Sequence, residues 1–415
     1  MSQTHTTQAE SRPARAFGAL QHRDFRVFWA GACISFIGSW VQIVTMGWLV
    51  YQMTGSKAAL GIIGLAGGLP VTLLMLFGGV IADRANKRVL VLTTQVLFSL
   101  NAFALALLTG LGIIQVWHIV ALSFLNGVLF AADGPARQSI VYDLVGPDDL
   151  AAGVALQSAA FNVARVIGPI IGSLIYGALG PAWCFALNGV TFAAIVAAVL
   201  LIRTDIGRRT EPTDSVWDSF VEGLRHLRSN RTLLGVVSLT AVTSVLAFSS
   251  YATLMPALAQ DQLRVSESRY GLLFSVIGLG SLAGAYLVGR AAAAGRRGAL
   301  MATGACLFAV TLLGLAAAAS VAVALVLLFL LGMAAICELA TANTLTQSLA
   351  PDSLRGRAVA AHMFAMAGLQ PFGALLAGTA AERFGVPATL AGSAVLFWIL
   401  ALALFATRPE ILRLE

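Results

Sequence analysis

The sequence predicts an all-α integral membrane protein with twelve transmembrane helices arranged in two six-helix halves. Three observations carry this. Hydrophobic residues make up 58% of the 415-residue chain and charged residues 11%, with a mean hydropathy of +0.86, far from the balance of a soluble domain. Charge-free stretches long enough to cross a bilayer recur at 27–56, 58–82, 89–132, 166–202, 232–260, 298–337 and 384–407. The second half of the chain also echoes the first at matching positions.

A crossing needs roughly 20 apolar residues, so the longest stretches must each hold two helices joined by a tight turn. Gly180-Pro181 supplies one such turn and residues 110–115 another. The spans expected in the first half are 27–51, 59–82, 89–111, 116–139, 150–176 and 182–202. Those of the second half are 233–258, 269–291, 298–319, 321–345, 354–380 and 387–406. The chain then divides into a cytoplasmic N-terminal tail (1–26), an N-terminal half (27–202), a cytoplasmic connector (203–232), a C-terminal half (233–406) and a cytoplasmic C-terminal tail (407–415).

The first 16 or so residues are polar, so no cleavable signal peptide is expected and the first span itself directs the chain to the membrane. In the connector, Val216, Trp217, Phe220, Val221, Leu224 and Leu227 fall on one helical face. That pattern predicts an amphipathic helix at the inner membrane surface, acting as a tether between halves.

The net charge of +7 invites a nucleic-acid reading, but the placement of the basic residues argues against one. With the N-terminus inside, only Lys57, Arg264, Arg269 and Arg383 of the 26 Lys and Arg fall on the outer side, and Arg165 lies within a helix. The rest sit at cytoplasmic ends or turns. This asymmetry fixes orientation, with both termini cytoplasmic, and directs the basic excess toward lipid headgroups. Cys33, Cys184, Cys306 and Cys337 are scattered through the spans. Neither a disulfide framework nor a metal site is indicated, and no cofactor is expected.

The echo between halves is specific. Leu60-Gly61 returns as Tyr270-Gly271, and the same offset of 210 residues carries Gly79 onto Gly289. There the acid is lost (Ala293 stands for Asp83), but Arg290, Arg296 and Arg297 keep the positive charge. Pro147-Asp-Asp-Leu150 matches Pro351-Asp-Ser-Leu354, each read as a capped helix start. Asp133 matches Glu338 to within one residue.

Charges in hydrocarbon cost at least a few kcal/mol, so each needs a reason. Arg165 lies about 20 Å along helix 5, near the bilayer midplane. It shares a face with Ser158 and Asn162, while Asn126, Phe130, Asp133 and Arg137 form a stripe on helix 4. Arg165 is read as part of a polar central cavity, against a structural arginine bonded between helices 4 and 5. Gln42, Tyr251, Asn343 and Gln370 join Asn126, Asn162 and Arg165 as candidates for contact with substrate or coupling ion, together with Thr45, Asn188 and His362. Any single one is more often an interhelical bond than a ligand contact. Together they describe a weakly polar cavity suited to amphipathic cargo.

Helix 2 ends in Gly79-Gly-Val-Ile-Ala-Asp83-Arg84-Ala-Asn-Lys87-Arg88. This resembles the hinge between helices 2 and 3 of the major facilitator superfamily, Gly-x-x-x-Asp-Arg/Lys-x-Gly-Arg-Arg/Lys, with Asn86 in place of the second Gly. On helix 5, Gly168-Pro169-Ile-Ile-Gly172 resembles the superfamily's Gly-x-x-x-Gly-Pro-x-x-Gly-Gly signature, associated with antiporters. Ala164 and Ser173 depart from it, and helix 11 has a looser version around Pro371 and Gly373. The stretches at 22–29 and 38–40, Asn162-Val-Ala-Arg165 and Arg355-Gly-Arg357 look like the branch of bacterial drug, macrolide and siderophore exporters, over nearly the whole chain.

The resemblance implies a major facilitator fold in a bacterial inner membrane, working by alternating access as a monomer. It implies that Asp133 pairs with Arg84 or Arg137 to close the cytoplasmic side. Glu338 would pair likewise with Arg290 or Arg357, and a proton-carrying role for either acid is the alternative. Helix 1 has no acid after Asp24, unlike many proton-coupled exporters of this superfamily. The expected activity is export of a small amphipathic molecule against protons, with an uptake permease or lipid flippase as the rival. A non-transporting sensor or scaffold has no need of a movable charged gate, and no nucleophile, metal spacing or nucleotide loop points to an enzyme.

Overall fold

The computed structural model describes residues 17–84, 86–206, 225, 227–352 and 354–414, with side chains throughout except at 75–84. The side chains of the hinge residues Asp83 and Arg84, the surroundings of Gly79 and most of the predicted connector helix therefore lie outside what is described.

Twelve crossings account for the fold. They are α1 (Arg23–Thr54), α2 (Lys57–Arg84), α3 (Lys87–Gly110), α4 and α5 (together Val116–Leu179), α6 (Pro181–Leu201), α7 (Arg231–Gln262), α8 (Glu267–Ala293), α9 (Arg297–Ala316), α10 (Val321–Leu349), α11 (Arg355–Phe384) and α12 (Val386–Thr407). Each is apolar and long enough to span a bilayer, and the 64-residue stretch holds two crossings. Gly146 divides that stretch: its φ of 69° and ψ of 179° belong to a region essentially closed to side-chain-bearing residues. Short π-helical turns at Thr243–Phe248 and Phe364–Gly368 widen α7 and α11 where the two helices meet, and Ser244 Oγ donates to the Met366 carbonyl across them at 2.5 Å.

Local capping explains one departure from the hinge pattern. Asn86 is the N-cap of α3, its side chain accepting from Val89 N–H at 3.2 Å. A glycine there would leave that donor unsatisfied. The two Pro-Asp repeats are not the capped helix starts expected of them. Asp149 instead meets His22 Nε2 at 2.9 Å, tying α5 to the chain before α1, and Asp352 pairs with Arg355 while Leu354 occupies the N-cap without a side-chain bond. The acid of the first repeat thus finds its partner on another segment and that of the second on its own helix, and neither serves as a local cap.

The two halves touch along two seams, α2 on α11 and α5 on α8. Both rely on close backbone approach. A Cβ on Gly61 would come within 2.7 Å of the Ala374 carbonyl, and one on Gly378 within 2.6 Å of the Lys57 carbonyl. At the second seam Gly271 lies against the Pro169 carbonyl and Gly278 against Val166. Gly271 and Gly278 stand 210 residues beyond Gly61 and Gly68, so the internal repeat places equivalent glycines at equivalent seams. The antiporter-like motif belongs here too. Gly168 and Gly172 admit Trp40 and Val41 of α1, leaving Pro169 to face α8.

Gly146→Ala is expected to destabilise the protein by about 1–3 kcal/mol, the usual cost of such a backbone conformation for a side-chain-bearing residue. Gly134→Ala, inside α4 with nothing near its Cβ position, is expected to be neutral. Thermal unfolding of both variants in detergent checks the contrast; equal midpoints would remove the special role of Gly146.

Candidate functional site

Between the halves lies a cavity of about 540 Å³, walled by α1, α2, α4, α5, α7, α8 and α11. Its lining is largely aromatic and aliphatic, with Trp40, Phe130, Phe248 and Phe274 among the larger contributors. Arg165, Tyr251 and Gln370 are the predicted candidates that reach it. The Arg165 guanidinium lies 5.8 Å from the centre of the Trp40 ring, and the Tyr251 side chain lines the same cavity close enough to interact with it electrostatically. This is a cation–π arrangement in a weakly hydrated space.

The other candidates do different work. Gln42 and Asn188 bond to each other at 2.8 Å and clamp α1 to α6, with Thr191 completing the group. Asn162 donates back to the Ser158 carbonyl of its own helix at 2.9 Å. Asn343 keeps a buried carbonyl oxygen without a hydrogen-bond partner, and neither it nor Asn126 lines the cavity. The aromatic lining was not legible as such. Trp40 and Phe130 stand in the sequence like any other apolar residue of a span, and only helix orientation separates cavity from lipid.

One end of the cavity is closed by polar groups at helix ends. Asp261 of α7 accepts from the Tyr51 hydroxyl at 2.5 Å and meets Lys57 Nζ at 3.2 Å. The Lys57 ammonium also sits 5.3 Å from the centre of the Tyr51 ring. Glu382 of α11 accepts from the Lys57 and Ala58 N–H groups at 2.6 and 3.0 Å and from Ser56 Oγ at 3.1 Å. A carboxylate of one half thus caps the positive N-terminus of a helix in the other. Nearer the middle, Thr72 Oγ1 donates to the Gly368 carbonyl at 2.8 Å and Ser275 Oγ to the Val166 carbonyl at 2.5 Å. These bonds between the halves run from that end to the middle; toward the opposite end Phe130 lines the cavity and is 58% exposed.

The predicted gate residues divide. Asp133, 4% exposed, accepts from Thr94 Oγ1 at 2.7 Å and Gln95 Nε2 at 2.9 Å, and Arg137 Nη1 stands 3.7 Å away. Arg137 itself lies over the Phe36 ring at 4.9 Å. This network stays inside the first half. Lys87 is buried and pairs with Asp143 of α4 at 2.8 Å, a partner sequence reading missed, while Arg88 donates to the Leu200 carbonyl at 3.0 Å. Glu338 is fully buried and accepts from Thr243 Oγ1 at 3.0 Å; its second oxygen has no hydrogen-bond partner. In this state it is held by that hydroxyl, while Arg290 is exposed at the end of α8.

A cavity between two half-bundles, closed at one end by reversible polar contacts, is the geometry of a carrier. A model of the transmembrane secretion effector family matches residues 14–412. The chain belongs to that family of major facilitator transporters. It is 26% identical over 360 residues to the multidrug efflux pump Tap of Mycolicibacterium fortuitum, covering 85% of this chain and 88% of Tap. It is 22% identical over 371 residues to the staphyloferrin A transporter of Staphylococcus aureus, covering 88% and 91%. A 27% identity to the enterobactin exporter EntS of Shigella flexneri covers 64% of each chain. Among solved structures it resembles the nucleoside transporter NupG (TM-score 0.77, 11% identity, covering 92% of this chain and 98% of NupG). It also resembles a bacterial homologue of the lysosomal transporter Spinster (TM-score 0.69, 15% identity, 94% and 97% covered). These likenesses establish the fold.

Asp261→Asn combined with Glu382→Gln is expected to unlatch the closed end. In a background lacking the four cysteines, Val50→Cys lies fully buried beside it. An impermeant thiol reagent supplied from the Lys57 side should react roughly tenfold faster or more once the latch is broken, the change expected from losing one charged hydrogen bond. An unchanged rate would mean that these bonds do not hold the end shut.

Proposed function

We propose that this transporter exports a small amphipathic molecule across the bacterial inner membrane in exchange for protons, by alternating access of the central cavity. The observation that carries the reading is the cavity itself, apolar enough for amphipathic cargo, open at one end and latched at the other. The asymmetry of basic residues makes the latched end periplasmic and the open end cytoplasmic. Both termini are then cytoplasmic, and the state described is one ready to load from the cell interior. The names of its relatives, a drug efflux pump and siderophore transporters, support the same class of cargo.

Coupling falls to Glu338. A carboxylate inside a membrane helix is tolerated when paired, and Asp133 has that through Arg137 and two side-chain donors. Glu338 has one neutral donor and an unpartnered oxygen. A buried acid with so few partners is the group whose surroundings a change of state that admits water would alter most. The halves then divide the labour, a fixed charge network in the first and a proton carrier in the second. The hinge residues Gly79, Asp83 and Arg84 are assigned to the cytoplasmic gate that closes in the opposite state, along with Arg290 and Arg357.

The test is uptake into proteoliposomes under an imposed pH gradient, using amphipathic fluorophores of each charge type. Uphill accumulation of at least one, abolished by an uncoupler, is expected. Glu338→Gln should abolish pH-driven accumulation while leaving counterflow exchange intact. A Glu338→Gln protein that still accumulates cargo against its gradient would reduce the acid to a packing group.

A further inference from the structure

Among the described residues, the central cavity holds a charge that no lining side chain balances. Arg165 is the one formally charged side chain among those lining residues; no Asp, Glu or Lys is among them. No carboxylate ion pair engages Arg165 among the described residues. The two intramembrane acids are turned elsewhere, Asp133 into its network with Thr94, Gln95 and Arg137 and Glu338 against Thr243. What faces the guanidinium is the Trp40 ring and the Tyr251 side chain. An aromatic face offsets only part of what a guanidinium loses on leaving water.

We infer that the cavity selects amphipathic anions, molecules joining a flat apolar body to a single acidic group such as a carboxylate or sulfonate. The inference rests on the cavity being the cargo site of a transporter and names the charge of the cargo. The fork of donors on Arg165 matches a carboxylate in two parallel hydrogen bonds, which a lysine would not reproduce. Tyr251 and Gln370 add neutral polar groups on the facing helices. Trp40, Phe248 and Phe274 offer ring surfaces for the apolar body, and about 540 Å³ suits a molecule of ordinary drug size. Lipophilic cations, the common probes of multidrug export, meet a like charge at the midplane in a medium that screens it poorly.

The position of Arg165 also ties binding to the seam. The carbonyl of the next residue, Val166, accepts the α8 bond from Ser275, and the Arg165 carbonyl packs against Gly278. An anion drawn onto the guanidinium therefore pulls on a segment of α5 that contacts the other half.

The test uses three probes with one pyrene body: pyrenebutyrate, neutral pyrenebutanol and pyrenebutyl-trimethylammonium. Binding to the purified protein in nanodiscs is read by energy transfer from tryptophan. The wild type is expected to bind the anion at least tenfold more tightly than the cation. Arg165→Gln should lose that tenfold while binding the alcohol as before, which shows that the cavity is intact, and Arg165→Lys should keep only part of it. Equal affinity for anion and cation, a preference for the cation, anion binding unaffected by Arg165→Gln, or failure of all three probes to bind would each overturn the inference. Transport is scored separately in proteoliposomes. Charge-selective binding without accumulation under any gradient would overturn the exporter reading and leave the selectivity standing.

Discussion

The seams between the halves set what every other part of the molecule can do. Under the proposed alternating access, two bundles that part and rejoin in hydrocarbon cannot be held by buried charge, because separation would strand it in lipid. Here they are held by backbone laid on backbone, with Gly61 and Gly378 on one side and Gly271 and Gly278 on the other. Such contacts gain dispersion energy and cost little to break, since lipid or neighbouring side chains can take their place. The ion pairs and caps that add selectivity for one state, those of Asp261, Lys57 and Glu382, stand at helix ends where water replaces a lost partner. Among the described residues away from the helix ends, the halves share only hydroxyl bonds such as those of Thr72 and Ser275, while ion pairs and amide pairs such as Lys87–Asp143 and Gln42–Asn188 lie within a half.

The halves are copies in outline and differ in chemistry. Matched acids at Asp133 and Glu338 have unequal surroundings, one gathered by a cation and two donors, the other by a single hydroxyl. Repetition supplied two equivalent positions, and divergence of their neighbours gave them different electrostatic roles. The same holds at the hinge, where Asp83 has no acidic counterpart at Ala293.

Much of the fold was legible because a bilayer enforces its own arithmetic: spans of about 20 apolar residues, charges at the ends, glycine where helices touch. The 210-residue echo pointed to paired glycines, and the structure puts them at paired seams. The site was less legible. Arg165, Tyr251 and Gln370 stood out as polar groups in apolar surroundings and do line the cavity, whereas Gln42, Asn162, Asn126 and Asn343 looked the same and do not. Separating them requires the rotation of each helix, and hydropathy of nearly all-apolar spans carries little of it. Asp261 and Glu382 were passed over because each reads as an ordinary charged residue at a helix end. Their importance arises from pairing across more than 200 residues of sequence with Tyr51 and across more than 300 with Lys57.

The central claim is that one cavity is opened alternately at its two ends by the halves rocking about their seams. Pulsed electron-spin distance measurements in lipid test it most directly, with one pair of labels at Thr54 and Phe384 and another at Tyr142 and Gln347. As pH is varied with an amphipathic probe present, the account predicts two populations in which the first distance lengthens as the second shortens. Distances that stay fixed under every condition, or that lengthen and shorten together, would contradict it.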